Sequence, residues 1–471
     1  MIFSSTLFLF LFLPIVITAY FLIAQKYRNF LLLIASLFFY AWGEQILVLL
    51  MIGSICVNYA IGNIITEFQK KGRENSARSF LVIGIIVNLS LLGYYKYINF
   101  FFEGLSQLGL DLNIEIAKVK LPIGISFFTF QSISYLVDVY RKIVTGQRSL
   151  INLGMYISLF PQLIAGPIVR YADISKEIES RKISTSLFQE GITRFIGGFA
   201  KKVLIANNVG LIADSVFAVP IGELSTLLSW IGIICYALQI YYDFSGYSDM
   251  AIGLGKMFGF NFKENFEHPY ISTSIREFWR RWHISLSSWF RDYLYIPLGG
   301  NRKGKYRTYI NLIIVFFLTG LWHGASWNFV VWGLYHGVFL MIERFNIVKI
   351  SSKMNILKRI YTLLVLLVGW VIFRSESISS GMHYIGKLFS CSGGTNNYPY
   401  LLINNYIITI IFLGVLFSMP LRKFIEMRLG AIINNEMIIS ALKQGLCVVV
   451  FILSIMELAQ STYNPFIYFR F

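Results

Sequence analysis

Two histidines stand in nearly identical frames in the second half of the chain. They occupy the fourth position of "GLWHG" (Gly320–Gly324) and of "GLYHG" (Gly333–Gly337). A buried imidazole is neutral at pH 7 and can act as a general base. A single histidine at membrane depth is also often a hydrogen-bonded packing residue, and the frames leave both interpretations open. Glycines four residues apart predict that each frame lets another helix approach closely.

The two histidines lie 13 residues apart. On one continuous helix they would point roughly 220° apart. We therefore expect His323 and His336 to line different surfaces unless the chain breaks near Ala325-Ser326.

A third histidine, His283, lies in the arginine-rich stretch "EFWRRWHISLSSWFRDYLYIPLGGNRKGK". Read as one helix at about 100° per residue, this stretch collects its large apolar side chains on one arc and its arginines and serines on the rest. The arc contains Phe278, Trp279, Trp282, Leu286, Trp289, Phe290, Tyr293 and Leu294. Such a helix lies in the membrane interface or re-enters the protein, and Pro297-Leu298-Gly299-Gly300 ends it. Arginines here suit phosphates, either of lipid or of a substrate.

Several other ionisable side chains interrupt apolar runs. They are Asp138, Arg170, Lys201, Lys202, Asp243 and Asp249. Such groups usually face a protein interior or a water-filled cavity, which predicts an internal polar site. Lys201 and Lys202 are interpreted instead as snorkelling to the headgroups.

The elements that must position these residues are membrane helices. The chain has 471 residues, of which 56% are hydrophobic and 14% charged, and its mean hydropathy is +0.63. Apolar runs long enough to span about 30 Å of hydrocarbon recur, which predicts an all-α polytopic membrane protein with roughly 10–12 spans. The runs are Met1–Ala24, Phe30–Thr66 (broken near Gly43-Glu44-Gln45), Phe80–Leu105, Ile151–Val169, Leu224–Tyr241, Tyr309–Trp322, Trp327–Ile342, Ile360–Phe373, Leu401–Met419 and Ala441–Leu458. We expect one integrated membrane domain over residues 1–471.

The charge and cysteine content exclude some classes of protein. Net charge is +17, but the basic residues lie mostly in short loops between helices. This pattern indicates membrane orientation and anionic lipid as the contact, and no nucleic acid is expected. The four cysteines have no metal-ligand spacing, so no metal site is expected.

Longer motifs resemble a known family. The sequences "YYDFSGYSDMAIGLGKMFGFNFKENFEHPY", "EFWRRWHISLSSWFRDYLYIPLGGNRKGK" and "LTGLWHGASWNFVVWGLYHG" resemble the membrane-bound O-acyltransferase superfamily. The resemblance is strongest to the branch with the alginate O-acetyltransferase membrane subunit and the peptidoglycan O-acetyltransferase. "LPIGISFFTFQSISYLVDVYR" and "FPQLIAGPIVRY" fit the same branch, so the motif-bearing core covers about residues 121–337.

The resemblance implies a ring of helices, with re-entrant or interfacial elements, around a central tunnel. It assigns the signature catalytic histidine to His323 and a supporting role to His283, whereas His336 has no such assignment. We expect the other substrate-binding or tunnel residues to be Trp322, Arg280, Arg281, Arg291, Asp243 and Trp282.

The same resemblance implies an acetyltransferase of the bacterial cytoplasmic membrane. The donor would be acetyl-CoA, with no bound cofactor, and the product an O-acetylated cell-surface polysaccharide, either peptidoglycan or an alginate-like exopolysaccharide. The expected partners are membrane lipid and a separate extracytoplasmic acetyltransferase of the SGNH or esterase type. Two alternatives stay open: D-alanyl transfer to teichoic acid, and a secondary transporter that uses Asp138, Asp243 and the histidines as a relay.

Overall fold

A computed structural model describes residues 1–107, 119–345, 354–391, 393–396, 398–421, 435–461 and 463–467. Within these ranges the regular structure is helical, and no strand occurs. The α-helices in chain order are α1 Leu13–Leu22, α2 Arg28–Glu44, α3 Val48–Lys70, α4 Glu74–Leu92, α5 Ile98–Gln107, α6 Ile125–Tyr140, α7 Leu150–Ser158, α8 Phe160–Leu163, α9 Tyr171–Glu179, α10 Thr185–Ala200, α11 Asn207–Phe217, α12 Thr226–Met257, α13 Ile275–Arg281, α14 Ile284–Phe290, α15 Gly304–His323, α16 Trp327–Arg344, α17 Asn355–Arg374, α18 Ile378–Phe389, α19 Tyr398–Leu401, α20 Asn405–Phe417 and α21 Glu436–Gln460.

Shorter helical turns connect or extend these helices. The π-helical turns are Phe8–Phe12, Gly93–Tyr97, Lys201–Ala206 and Arg291–Tyr295, and the 3₁₀ turns are Gln25–Tyr27, Gln45–Leu47, Ile221–Glu223 and Pro269–Ile271.

Six helical stretches of the described chain are long and apolar enough to cross a membrane. They are Gln25–Lys70, Glu74–Ser106, Thr185–Phe217, Thr226–Met257, Asn355–Arg374 and Met437–Gln460. This confirms the prediction of an all-α polytopic membrane protein, while the full number of spans stays a prediction. The expected break in the first stretch occurs at Gln45, whose φ is +48°.

One predicted span is wrong. The run Ile151–Val169 forms two short helices, because α7 ends at Ser158 and Leu159 takes a ψ of 111° before α8 begins at Phe160. Pro161 accounts for the break, since its ring would clash with the carbonyl four residues earlier in a continuous helix.

The chain divides into two compact units. The first contains Met1–Ile192 and Ala251–Lys263, and the second contains Thr193–Met250 and Glu264–Phe471. The single-domain interpretation stays a prediction. All three histidines discussed above belong to the second unit.

Polar contacts between helices stabilise the first unit. Asn58 of α3 and Asn88 of α4 are buried and exchange amide hydrogen bonds of 2.8 and 3.2 Å. Buried amides that satisfy each other hold apolar helices together without exposing a polar group to lipid.

Close glycine contacts bring α15 and α16 of the second unit together. A Cβ on Gly320 would lie 2.3 Å from the Phe329 carbonyl oxygen, and one on Gly333 would lie 2.2 Å from the Phe316 carbonyl oxygen. The expectation that the glycine-histidine frames allow close helix approach is confirmed.

Candidate active site

His323 is the last residue of α15 and lies inside a cage of aromatic rings. Gly324 continues in an extended conformation, with φ of −175°, so the helix ends at the histidine. The imidazole is 5% exposed. Its ring centroid lies 4.9 Å from that of Trp332, 5.1 Å from Trp322 and 5.4 Å from Phe373. The helix end therefore presents the imidazole to an apolar, dry environment.

The chain breaks between the two glycine-histidine frames. Ser326 caps α16 by accepting a hydrogen bond from the Asn328 backbone N–H, and the new helix begins at Trp327. His336 consequently packs on the same Trp332 ring as His323, at 5.1 Å, and also on Trp279, at 5.3 Å. The exception in the prediction therefore applies: the chain breaks near Ala325-Ser326, and both histidines pack on the same indole.

The arginine-rich stretch is also broken, at His283. Helix α13 ends at Arg281, Trp282 is extended, and His283 takes a left-handed φ of +44° before α14 begins at Ile284. The prediction of a single helix is therefore wrong. Asn265 accounts for the break: its backbone carbonyl accepts a hydrogen bond from the Ile284 N–H, and its side-chain oxygen accepts one from the Ser285 N–H. The backbone N–H groups in the first turn of α14 therefore find their acceptors on Asn265, and they need no carbonyl groups from a preceding helical turn.

The break turns His283 into the protein interior, where it is 0% exposed. Its Nδ1 lies 3.2 Å from Asn265 Oδ1, and its ring packs against Phe244 at 4.6 Å and Trp322 at 5.8 Å. Burial lowers the pKa of the His283 imidazole well below its usual value, and the positive charge that His323 can carry lowers it further. The ring is therefore neutral near pH 7. Through Trp322, which contacts both rings, the structure brings His283 and His323 into one cluster.

A large open cavity of about 970 Å³ lies beside this cluster. Four basic side chains line it: Arg276, Arg280, Arg344 and Lys358. Trp279, Phe316 and Thr319 line it as well, and Thr319 precedes His323 by one helical turn. We call this space the basic cavity.

A second, much smaller cavity touches His323 itself. Its volume of about 10 Å³ is barely enough for one water molecule. His323, Trp282, Trp332, Trp370, Phe373 and Ile467 are among its lining residues. Trp279, which lines the basic cavity, lies 5.8 Å from Trp332, which lines the small one. These two indoles therefore separate the basic cavity from the space at His323.

Comparisons with known proteins identify the family. The family model described as MBOAT, membrane-bound O-acyltransferase family, matches residues 142–374. A protein of Pseudomonas putida named probable alginate O-acetylase is 42% identical over all of this chain and all of its own length. The chain belongs to the membrane-bound O-acyltransferase family.

Two further relatives carry other names. A peptidoglycan O-acetyltransferase of Helicobacter pylori is 35% identical and aligns over 83% of this chain and 80% of its own length. A teichoic acid D-alanyltransferase of Bacillus subtilis is 32% identical over only 47% of this chain and 59% of its own length. The protein is therefore a multi-pass membrane O-acyltransferase, similar to acetylating enzymes over most of its length.

Of the three arginines expected to meet phosphates, the structure brings one to the basic cavity of this O-acyltransferase. Arg280 lines the cavity. Arg281 instead pairs with Glu277 at 3.0 Å, and Arg291 is 63% exposed and pairs with Asp292 at 2.7 Å. Among the indoles, Trp282 lines the small cavity, and Trp322 contacts the rings of both His283 and His323.

Asp243 is an ion-pair partner inside the acyltransferase. Its Oδ1 lies 2.8 Å from Lys202 Nζ, and its Oδ2 accepts a hydrogen bond of 2.8 Å from the Ile467 N–H. Lys202 also donates to the Pro465 carbonyl. The snorkelling interpretation is wrong for Lys202, because its side chain is only 3% exposed and its charge is compensated internally. Lys201 pairs with Asp249 at 2.7 Å.

Sequence reasoning missed several residues of the site. Asn265 lies within a recognised motif but has no special spacing. Trp370 and Phe373 lie on α17, beyond the last motif, and Ile467 lies near the C-terminus. Only the tertiary packing brings these side chains to His323.

Proposed function

We propose that this O-acyltransferase takes the acetyl group of cytosolic acetyl-CoA and delivers it across the membrane for O-acetylation of a cell-surface polysaccharide. The observation that carries the proposal is the basic cavity, which reaches the helix that ends in His323. Similarity over the full chain to a probable alginate O-acetylase, and over most of it to a peptidoglycan O-acetyltransferase, supports acetyl as the transferred group.

The basic cavity suits a donor that carries phosphates. Arginine binds phosphate through paired N–H donors, and lysine binds it as a point charge. Among the lining residues, Arg276, Arg280, Arg344 and Lys358 supply four positive charges against the one carboxylate of Glu343, which accepts hydrogen bonds from the Ile275 and Arg276 N–H groups. Its volume is also in the range of pockets that hold cofactor-sized ligands, which is about 300–1,000 Å³. The phosphates would bind among these side chains, with the thioester directed towards Trp279.

His323 would act as general base in the transfer. The acceptor hydroxyl oxygen attacks the thioester carbonyl carbon while His323 takes the hydroxyl proton. The bond between carbonyl carbon and sulfur then breaks, and the thiolate leaves with the electron pair and takes the proton back from His323, which restores the neutral imidazole. His283 would orient or polarise the reacting groups. Dry aromatic walls favour this chemistry, because water that enters would hydrolyse the thioester.

The acceptor side of the reaction would involve other molecules. We propose that the protein resides in the bacterial cytoplasmic membrane and that a separate SGNH or esterase-like acetyltransferase completes the transfer outside. Alginate-like exopolysaccharide and peptidoglycan are the two acceptors that the names of the relatives suggest.

Purified protein in liposomes tests the donor. With acetyl-labelled acetyl-CoA and a polysaccharide acceptor plus the extracytoplasmic partner, we expect label in the polymer and free CoA in equal amounts. If no acetyl label is transferred, but labelled D-alanine is transferred from a D-alanyl carrier protein, the protein is a D-alanyltransferase. Solute flux coupled to ions, without any acyl donor, would instead support the transporter alternative.

A further inference from the structure

We propose that Asn265 is a positioning residue for acyl transfer: its side-chain oxygen holds His283 in the tautomer with the proton on Nδ1, so that Nε2 is free to accept a proton or hydrogen bond. This inference rests on the proposed function, in which His283 supports His323.

The identity of the Asn265 atom that faces His283 follows from its other partner. The Ser285 backbone N–H lies 3.1 Å from that atom, and the Ser285 hydroxyl lies 2.9 Å from it. A backbone N–H can only donate, so the atom that receives it is the amide oxygen and not the amide nitrogen.

The tautomer of His283 follows in turn. Nδ1 lies 3.2 Å from the Asn265 amide oxygen, which can only accept. Nδ1 must therefore carry the hydrogen, and in a neutral imidazole the other nitrogen is then an unprotonated acceptor. In the described part of the chain, Nε2 has no hydrogen-bond partner although the side chain is 0% exposed. A buried acceptor without a partner is costly, and such groups are a mark of catalytic or ligand-binding sites.

The Ser285 hydroxyl also approaches His283 Nδ1, at 3.5 Å, but it lies closer to the Asn265 oxygen, at 2.9 Å, and donates there. Phe244, Phe266 and Trp322 pack around the ring. The ionisable group that faces it is His323. Nearby charges on the flanking elements are engaged elsewhere: Asp243 pairs with Lys202, and Glu264, which precedes Asn265, pairs with Arg194. The tautomer is therefore set by Asn265.

The loop that carries Asn265 is itself held in place. The Asn265 carbonyl accepts from the Ile284 N–H at 2.9 Å, and the Glu267 N–H donates to the Arg281 carbonyl at 2.9 Å. These backbone bonds lie on both sides of the His283 turn. Asn265 and His283 consequently move as one unit, which fixes the direction of Nε2.

Two substitutions of Asn265 separate positioning from packing. Asn265→Leu removes the oxygen, and we expect kcat to fall by roughly 10-fold to 100-fold, as for the loss of a group that orients a metal-ligating histidine, while KM for acetyl-CoA changes little. Asn265→Asp keeps the oxygen and adds a negative charge, which raises the pKa of His283. Its activity should recover at high pH, with the acidic limb of the pH profile displaced to higher pH. Ser288→Ala, which removes a hydroxyl of α14 that donates to the Ser285 carbonyl at 3.0 Å, is the matched control and should keep the wild-type profile.

A spectroscopic measurement tests the tautomer without relying on activity. The chain has five histidines, and ¹⁵N NMR of histidine-labelled protein should show one buried ring with a protonated Nδ1 and bare Nε2. That signal should vanish in His283→Gln and change in Asn265→Leu. Protonated Nε2 in the wild-type protein, or a wild-type kcat for Asn265→Leu, would overturn the proposal.

If no acetyl transfer occurs at all, the proposed function fails, and the NMR result still decides the role of Asn265. If Asn265→Leu does not fold, the pH profile of Asn265→Asp decides it.

Discussion

At the scale of single residues, two buried imidazoles share one indole, since Trp322 contacts the rings of both His283 and His323. His323 and His283 were singled out from the motifs that contain them, and the structure places both in one aromatic cluster. Asn265 was not, because its contact with His283 depends on a left-handed turn that no residue spacing reveals. Residue type can be read from a sequence, whereas hydrogen-bond partners depend on the path of the backbone.

Replacement of His323 by glutamine should nearly abolish acetyl transfer. Loss of a positioned general base typically lowers the rate by about 10²–10⁴. His336→Gln is the matched control, since His336 is equally buried and packs on the same Trp332. Transfer should be measured as label incorporated into polymer per amount of protein in the membrane. Equal losses in both variants would show that the cluster matters only for packing.

Replacement of Arg280 by alanine should weaken donor binding. Arg280 lines the basic cavity, so its loss should raise KM for acetyl-CoA by about tenfold, the effect of one hydrogen bond between charged groups. Arg291→Ala removes an exposed arginine of the same stretch that pairs with Asp292, and should leave KM unchanged. The difference should shrink as salt screens the charges. A larger change for Arg291 than for Arg280 would place the donor elsewhere.

At the scale of elements, the helices were predictable and their breaks were not. Apolar runs and glycine frames predicted most of the membrane helices and the close contact of α15 with α16. Periodicity failed at His283, because a single left-handed residue interrupts a helix without changing the pattern of apolar side chains. The break at Leu159 could have been predicted, because Pro161, two residues later, is incompatible with a continuous helix.

Replacement of Gly333 by alanine should impair activity through the α15–α16 contact. The added Cβ would meet the Phe316 carbonyl at 2.2 Å, so the two helices must separate and His323 must shift from Trp332. Overpacking of this kind costs about 1–3 kcal/mol of stability. Gly197→Ala is the control, because this helical glycine has open space around its Cβ position. The midpoint of thermal unfolding and the transfer rate should both fall for Gly333→Ala, and neither should fall for Gly197→Ala.

Replacement of Asp243 by asparagine should destabilise the second unit. The change leaves Lys202 buried without its counter-charge, which costs about 3–5 kcal/mol when one partner of a buried pair is removed. The midpoint of thermal unfolding in detergent should drop clearly. The double variant Asp243→Leu/Lys202→Met should recover much of that loss, since no buried charge remains. If the single variant were as stable as the wild type, the ion pair of Asp243 with Lys202 would not stabilise the second unit.

At the scale of the whole molecule, the proposed function predicts that donor and product are on opposite sides of the membrane. Acetyl-CoA carries several negative charges and cannot enter hydrocarbon, whereas the acetyl group is small and neutral. Inside-out vesicles should therefore consume added acetyl-CoA and release CoA into the same compartment, and right-side-out vesicles should not. Acetylated acceptor should appear on the other face. Consumption and product on one face would contradict transfer through the membrane.

The tryptophan packing between the basic cavity and His323 has an energetic consequence for the cell. Trp279 and Trp332, the two indoles between these spaces, are 8% and 0% exposed, and their ring centroids lie 5.8 Å apart. A water-filled pore at this place would conduct protons and discharge the voltage that a bacterial membrane stores, worth about 2.3 kcal/mol per charge at 100 mV. Close-packed indoles have no chain of water along which a proton could hop, and they offer an ion no solvation. Under the proposed function, the enzyme would thus export a chemical group while its membrane remains an electrical insulator.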